Sequence, residues 1–214
     1  MSSDPRRRRR PRRRFPPEIL THAEVLGLLE ACGDHLTGIR NRALLALLDR
    51  GGLRLGEALQ LRPKDLDGGA VRMLHGKGGS SRIVGIGPGA AALVRAWLVA
   101  RGRWAHLPPS APVFCTAWGR PLAQGYVRRL PPQLARKAGV LKRVHAHGLR
   151  HTHAAQLRQE GLDIGIISKQ LGHRSIATTA RYLNHICPLA VVEAMRGRAW
   201  GTTAPLRTRR APSR

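Results

Sequence analysis

The sequence predicts a mainly helical α+β domain, a helical bundle with a small antiparallel β-sheet. Apolar periodicity with helix start and stop signals recurs along the chain, whereas residues 71–74 and 82–86 have the pattern of two short strands. The glycine-rich segment 75–81 joins these two strands, which predicts a hairpin and hence antiparallel pairing. An apolar content of 42% over 214 residues supports the core of one domain.

The first predicted helix begins at a capping box and runs to about residue 32. Thr21 and Glu24 have the spacing at which each side chain caps the other residue's backbone N–H. Leu20 and Val25 stand at the positions of the matching hydrophobic staple.

The other helices are predicted from apolar periodicity and from their end residues. They are expected at residues 39–50, 89–102, 124–138, 148–159, 164–171 and 188–195, with one more after a Ser175 cap. Pro131 and Pro132 lie inside one range, so that helix is expected to begin or break at the pair. Pro188 suits the first turn of the last helix.

The charge of the chain points to a polyanionic partner. The formal net charge is +26, the pI is near 11.9, and residues 68–159 contain no acidic side chain. Nucleic acid is the first candidate and an anionic membrane surface the second. No apolar run approaches a membrane span, and three scattered cysteines do not make a disulfide framework. We therefore expect a cytoplasmic protein with reduced cysteines.

Both ends of the sequence differ in composition from the part between them. Residues 1–17 are rich in arginine and are expected to be disordered, either lying on DNA phosphates or serving no role. Residues 200–214 form a second basic tail. The predicted domain therefore occupies residues 18–199.

Four residues near the C-terminus suggest chemistry on an anion. His147 and Arg150 stand three apart, about one helical turn, so both project from the same face; His173 and Tyr182 follow. An arginine fork can hold two phosphate oxygens, imidazoles can donate or shuttle protons, and a phenol can attack.

Two further stretches offer candidates. Arg54 stands at a helix junction with Glu57 one turn on, and this carboxylate can fix the guanidinium or form only a surface salt bridge. Lys77 lies in the glycine-rich hairpin, where it can reach a phosphate or simply face solvent.

Other classes of site remain open from the residues alone. His147 and His151 form an i,i+4 pair within a histidine cluster, which is half of a zinc site, although the glutamate of H-E-x-x-H is missing. A non-catalytic basic DNA-binding protein also fits the charge. It gives no reason for Arg54, Lys77, Arg150 and Tyr182 to be present together.

The chain resembles the tyrosine recombinases of the phage integrase family. The resemblance rests on the H-x-L-R-H-T run, the L-G-H triplet and the His-to-Tyr interval, together with G-L-R-x-x-E and G-K-G-x-x-x-R-x-V. It spans about residues 18–199, a catalytic domain of the size found in fimbrial-type DNA invertases. Type IB topoisomerases share similar chemistry, but the L-G-H triplet and the small size favour the recombinases.

The resemblance implies site-specific breakage and rejoining of DNA without metal or other cofactor. By analogy, Tyr182 would form a 3′-phosphotyrosyl bond, and Arg54 and Arg150 would hold the nonbridging oxygens. His147 would assist proton transfer from the phenol, and His173 would hydrogen-bond the phosphate. Lys77 would protonate the leaving oxygen.

The resemblance also implies partners. They are double-stranded DNA, further copies of the chain in a tetrameric synapse, and an accessory DNA-bending or recombinase protein. The chain would then be associated with the nucleoid. Family members usually carry a separate N-terminal helical domain, whereas here an arginine-rich segment precedes the catalytic domain. A truncated mobile-element remnant is therefore a further alternative.

Overall fold

The computed structural model describes residues 17–73, 81–104, 106–108 and 110–196. Both predicted tails lie almost entirely outside the described residues. The helices and strands follow in chain order: α1 His22–Glu30, α2 Leu36–Arg50, α3 Leu55–Gln60, a 3-10 turn Pro63–Asp65, β1 Leu66–Asp67, β2 Ala70–Met73, β3 Arg82–Gly85, α4 Gly87–Arg101, α5 Gln124–Lys137, α6 Ala146–Gln159, α7 Ile164–Leu171, α8 Ile176–Ile186 and α9 Ala190–Arg196. The predicted fold class, mainly helical with a small sheet, is confirmed.

The sheet is antiparallel and has the order β1-β2-β3. The predicted pairing of β2 with β3 is confirmed, with Val71 opposite Val84 and Met73 opposite Arg82. The short strand β1 was not predicted, because a two-residue strand shows no alternation by which sequence can identify it.

Most of the apolar core surrounds α2. This helix is buried along most of its length and contacts α4 and α6. A second, smaller cluster joins the C-terminal part of α6 to the helices that follow it: Ala154, Ala155, Ile167, Leu171, Leu183 and Ile186. Since α6 contributes Leu149 to the first cluster, it connects the two and fixes the last helices against the rest of the domain.

Capping residues define several of the helix ends as predicted. The capping box of Thr21 and Glu24 is present, and the Ser175 hydroxyl accepts from the backbone N–H of Thr178 at 3.2 Å. Gly172 ends α7 in the left-handed region with φ of 64°. This reversal places the residue after it, His173, beside the N-terminus of α8.

Two predictions about proline were wrong. Helix α5 continues through Pro131 and Pro132, because buried side chains such as Val127 and Leu134 hold both halves against the core. Pro188 lies in a turn before α9 rather than in its first turn. No helix among the described residues is both long enough and apolar enough to cross a membrane.

Candidate active site

Arg150 is the buried centre of the site. It lies on α6 with only 2% of its surface exposed, and its guanidinium donates to the carbonyl oxygens of Gly52 and Leu171, the latter at 2.6 Å. Burial lowers its pKa to about 10, assisted by the positive charge of Arg54. Arg150 therefore remains a cation at neutral pH, held by backbone oxygens from two distant parts of the chain.

Arg54 occupies the N-cap position of α3. Its Nη1 donates to Glu57 Oε1 at 2.8 Å, and its Nη2 reaches the carbonyl oxygen of Gly172 at 3.4 Å. The side chain is 43% exposed, in contrast to that of Arg150. Because Leu171 and Gly172 are consecutive, the two predicted arginines approach one backbone turn from a buried and an open side.

His173 connects this turn to α8. Its Nε2 lies 3.3 Å from Arg150 Nη2, and its Nδ1 lies 2.9 Å from Thr179 Oγ1. A guanidinium can only donate, so Nε2 accepts and the proton of a neutral ring lies on Nδ1, directed at the threonine. Burial and the charges of Arg150 and Arg54 lower the pKa of His173 to about 4. The ring is therefore neutral at pH 7.

Tyr182 lies between two imidazole rings. His151 stacks on it with ring centroids 5.2 Å apart and planes at 25°, and His173 meets it edge-on, also at 5.2 Å. The hydroxyl is buried and forms no hydrogen bond within the part of the chain that is described. Burial raises the pKa of Tyr182 to about 12, although the nearby charge of Arg150 opposes the shift. The phenol is therefore protonated at neutral pH, with the guanidinium of Arg150 close enough to act on it.

His147 lies on α6 one turn before Arg150, as the sequence predicted. Its ring meets that of His151 edge-to-face, with centroids 4.4 Å apart. Its pKa is lowered by partial desolvation and by the charge of Arg150. Part of the residue remains exposed, so His147 lies at the open side of the site.

The structure thus brings together five of the six predicted residues: Arg54, His147, Arg150, His173 and Tyr182. Lys77 lies outside the described residues. Among those that are described, no three His, Cys, Asp or Glu side chains are placed to hold a metal ion, so the suggested zinc half-site has no third ligand there.

Sequence reasoning missed two residues that border the site. His151 was considered only as a metal ligand, although its place four residues after His147 puts it on the same face. In the sequence, Arg82 stands out only as the arginine of the G-K-G-x-x-x-R-x-V motif. It lies at the start of β3 and forms a two-pronged ion pair with Glu57, with a shortest distance of 2.8 Å. No sequence spacing could indicate that pair, because it joins residues 25 apart.

A buried histidine beneath the site makes stability depend on pH. His153 is 4% exposed and lies against Gly52, and burial followed by the charges of Arg50 and Arg150 lowers its pKa to about 4. Between the unfolded value of 6.5 and pH 4, the unfolded chain binds a proton here that the folded chain does not. The contribution of His153 to the free energy of unfolding is therefore fully present above pH 6.5 and is lost as pH falls towards 4. The loss is up to about 3 kcal/mol, at 1.36 kcal/mol per pKa unit.

We expect His153→Gln to reduce the slope of unfolding free energy against pH between pH 7 and 4, as measured by urea denaturation. The exposed His22→Gln variant is the control and should keep the wild-type slope. Comparison with wild type cancels the opposite contribution of buried Asp49, whose pKa is raised to about 6 by burial. Equal slopes in all three proteins would show that His153 is not responsible.

Comparison with known proteins gives a consistent family. Residues 18–186 match the model of the phage integrase family. Tyrosine recombinase XerC of Xanthomonas campestris pv. campestris (strain B100) is 40% identical over 168 residues, covering 78% of this chain and 51% of the relative. Tyrosine recombinase XerD of Mycobacterium tuberculosis (strain CDC 1551 / Oshkosh) is 36% identical over 208 residues, covering 91% and 63%. The chain thus spans about half to two thirds of the length of these curated relatives.

The solved structures that resemble this chain are also recombinases. The crystal structure of XerA recombinase has a TM-score of 0.75 and 28% identity, covering 87% of this chain and 68% of that one. XerH site-specific recombinase, in a post-cleavage complex with palindromic difH substrate, has a TM-score of 0.69 and 29% identity, covering 86% and 54%. From the family match, the relatives and the shared fold, the chain belongs to the phage integrase family, the tyrosine recombinases.

Proposed function

We propose that this chain is a tyrosine site-specific recombinase, which cleaves and rejoins DNA during integration, excision or inversion. The observation that carries the proposal is the position of the Tyr182 ring, between two histidines and close to the charge of buried Arg150, all in one chain. Among the described residues this buried hydroxyl makes no hydrogen bond of normal geometry, which is costly in a structural tyrosine but expected of a nucleophile that keeps its oxygen for a substrate.

In the first step the Tyr182 oxygen attacks the phosphorus of a phosphodiester. A 3′-phosphotyrosyl bond forms, the bond to the 5′-oxygen breaks, and negative charge grows on the two nonbridging oxygens. Arg54 and Arg150 supply guanidiniums for those oxygens, one exposed to the incoming backbone and one fixed from below. Fixed donors are effective because they need not reorganise during the reaction.

Two protons move in this step. The phenol of Tyr182, with its pKa near 12, loses its proton only as the attack develops, and neutral His147 at the open side of the site is the proposed acceptor. The departing 5′-oxygen needs a proton, which we assign to Lys77 by the resemblance of its hairpin to the family motif.

His173 is proposed to hydrogen-bond the phosphate, and its contacts allow the change of tautomer that this requires. With Nε2 accepting from Arg150, the ring has no donor for an oxygen. The Thr179 hydroxyl can either accept from Nδ1 or donate to it, so it also stabilises the tautomer protonated at Nε2. When the phosphate replaces Nε2 as the acceptor of that Arg150 hydrogen bond, this tautomer gives His173 a donor for the same phosphate.

Rejoining reverses the chemistry. A 5′-hydroxyl from another strand attacks the phosphotyrosine, which retains the bond energy, so neither ATP nor a metal ion is required. We propose double-stranded DNA as substrate, a tetrameric synapse of this chain on DNA, and an accessory DNA-bending or recombinase partner at the nucleoid. A net charge of +26 favours association with DNA through counterion release.

The direct test is covalent capture on nicked duplexes that carry a randomised segment around the nick. Cleavage near the nick releases a short 5′-hydroxyl fragment, so the adduct cannot be resealed and survives denaturation. We expect such adducts in excess EDTA, and sequencing of the captured DNA should give the preferred site. Binding without any adduct would indicate a non-catalytic DNA-binding protein, and activity that requires added zinc would favour a metal site.

A sulfur substitution tests Lys77 as the general acid. A thiol, with a pKa of about 8.5, leaves without a proton donor, whereas a 5′-alkoxide does not. Lys77→Ala should therefore cleave normal DNA poorly and recover on DNA with sulfur at the scissile 5′-bridging position. Arg54→Ala should gain much less, because sulfur leaves the nonbridging oxygens unchanged. Equal rescue of both variants, or rescue of neither, would remove Lys77 from this role.

A further inference from the structure

The carboxylate of Glu57 is shared between two arginines. It accepts the backbone N–H of Arg54 at 2.8 Å and Arg54 Nη1 at 2.8 Å, and it accepts Arg82 Nη1 at 3.2 Å and Arg82 Nη2 at 2.8 Å. Four hydrogen bonds fill the acceptor positions of a carboxylate. Burial alone would raise the pKa of Glu57, but the hydrogen bonds from Arg82 and Arg54 outweigh it and hold the pKa below its ordinary value.

The two arginines use this carboxylate differently. Arg82 engages both oxygens with both terminal nitrogens, the two-pronged geometry that gives the strongest arginine–carboxylate pairs. The Arg54 side chain reaches only one oxygen, and its second terminal nitrogen faces the carbonyl oxygen of Gly172. Arg82 is also the less exposed of the two, at 12% against 43%.

Gly172 keeps Arg82 in this position. A Cβ atom built on Gly172 would lie 2.6 Å from the Arg82 guanidinium carbon, closer than non-bonded atoms approach. Its φ of 64° disfavours a side chain as well. Arg82 therefore packs flat against the turn that leads to His173, and it links β3 to the backbone that Arg54 and Arg150 share.

We propose that Arg82 is a positioning residue that neutralises Glu57 and thereby keeps the charge of Arg54 available to the DNA phosphate. The inference rests on the proposed function of the same site. Without Arg82, both carboxylate oxygens would be open to Arg54, which would close into the two-pronged pair and turn from the substrate. With Arg82 present, two guanidiniums share one carboxylate, and Arg54 is anchored without being neutralised.

The test is a suppressor experiment on covalent capture with the randomised nicked duplexes. Arg82→Gln should lower the single-turnover rate of adduct formation by about 10- to 100-fold, with DNA affinity little changed. This is less than the roughly 10²- to 10³-fold loss of a transition-state donor itself, because Arg54 is misplaced rather than removed. Adding Glu57→Gln to that variant should restore part of the rate, because the carboxylate that captures Arg54 is gone. A merely structural pair predicts the reverse, since the double variant would lose more packing and hydrogen bonding.

Arg72→Gln is the matched control. Arg72 lies on the neighbouring strand β2 and pairs with Asp67 at 2.6 Å on the exposed side of the same sheet. The Arg72→Gln substitution should leave the rate of adduct formation unchanged. The inference is overturned if the double variant is no faster than Arg82→Gln, or if Arg72→Gln slows cleavage as much.

A second readout needs no cleavage and so separates this inference from the proposed function. The chain has two tyrosines, so with ¹³Cζ-labelled tyrosine the Tyr182 signal can be assigned from its absence in Tyr182→Phe. Titration with inorganic phosphate, followed at that signal, should show weaker binding in Arg82→Gln and recovery in the double variant. If wild type forms no adduct, the proposed function fails and this titration still decides the role of Arg82. Equal affinities in the three proteins would contradict it.

Discussion

Replacing Tyr182 with phenylalanine is expected to abolish covalent adduct formation while leaving DNA binding intact. The substitution removes one oxygen atom and keeps the ring, so the stacking on His151 and the edge contact with His173 should persist. Because the buried hydroxyl makes no hydrogen bond of normal geometry to the residues that the structure describes, its loss should also not lower the melting temperature. Gel analysis of denatured reactions and a thermal melt check both expectations.

Tyr126→Phe is the natural control for this experiment. The Tyr126 hydroxyl bonds to Asn41 and Arg40 far from the site, so this variant should lose some stability and keep cleavage. An undiminished denaturation-resistant adduct in Tyr182→Phe would remove Tyr182 from the role of nucleophile.

Replacing Arg150 with lysine is expected to cost both cleavage and stability. Lysine lacks the planar fork, so it cannot satisfy Gly52, Leu171 and His173 together. Adduct formation should fall by about 10²- to 10³-fold, the usual loss for a fixed transition-state donor. Unpaired buried carbonyls should lower the unfolding free energy by about 1–3 kcal/mol.

Arg54→Lys is the matched comparison for that variant. Arg54 is exposed, so this substitution should reduce cleavage with little change in the urea midpoint. Both arginine-to-lysine variants should therefore lose cleavage, whereas only Arg150→Lys should also lose stability. If Arg150→Lys cleaves at the wild-type rate, the buried guanidinium does not act on the phosphate.

Local rules explain which parts of the fold could be predicted from sequence. A capping box, a glycine C-cap and an apolar stripe each act within one or two turns, so α1 and α7 followed directly from the residues. The proline pair misled because tertiary packing of α5 overcame the local cost of two missing N–H donors. Sequence alone does not show that packing.

In the site, too, contacts within one helix could be predicted from sequence, whereas contacts between separate elements could not. His147 and Arg150 were predicted to share a face because they lie on one helix. The stacking of His151 on Tyr182 depends on how α6 meets α8, and the pairing of Arg82 with Glu57 depends on how β3 meets α3. Such contacts come from the packing of separate elements, so motif spacing can name the participants without giving their partners.

Mapping the covalent bond tests the central claim most directly. Adduct formed on the randomised duplexes is digested with nuclease and protease, and the nucleotide-bearing peptide is identified by mass spectrometry. We predict that the peptide contains Tyr182, linked through its phenolic oxygen to a 3′-phosphate, and that the released DNA strand ends in a 5′-hydroxyl. A nucleotide on Tyr126 or a serine, or a 5′-phosphate linkage, would contradict the account.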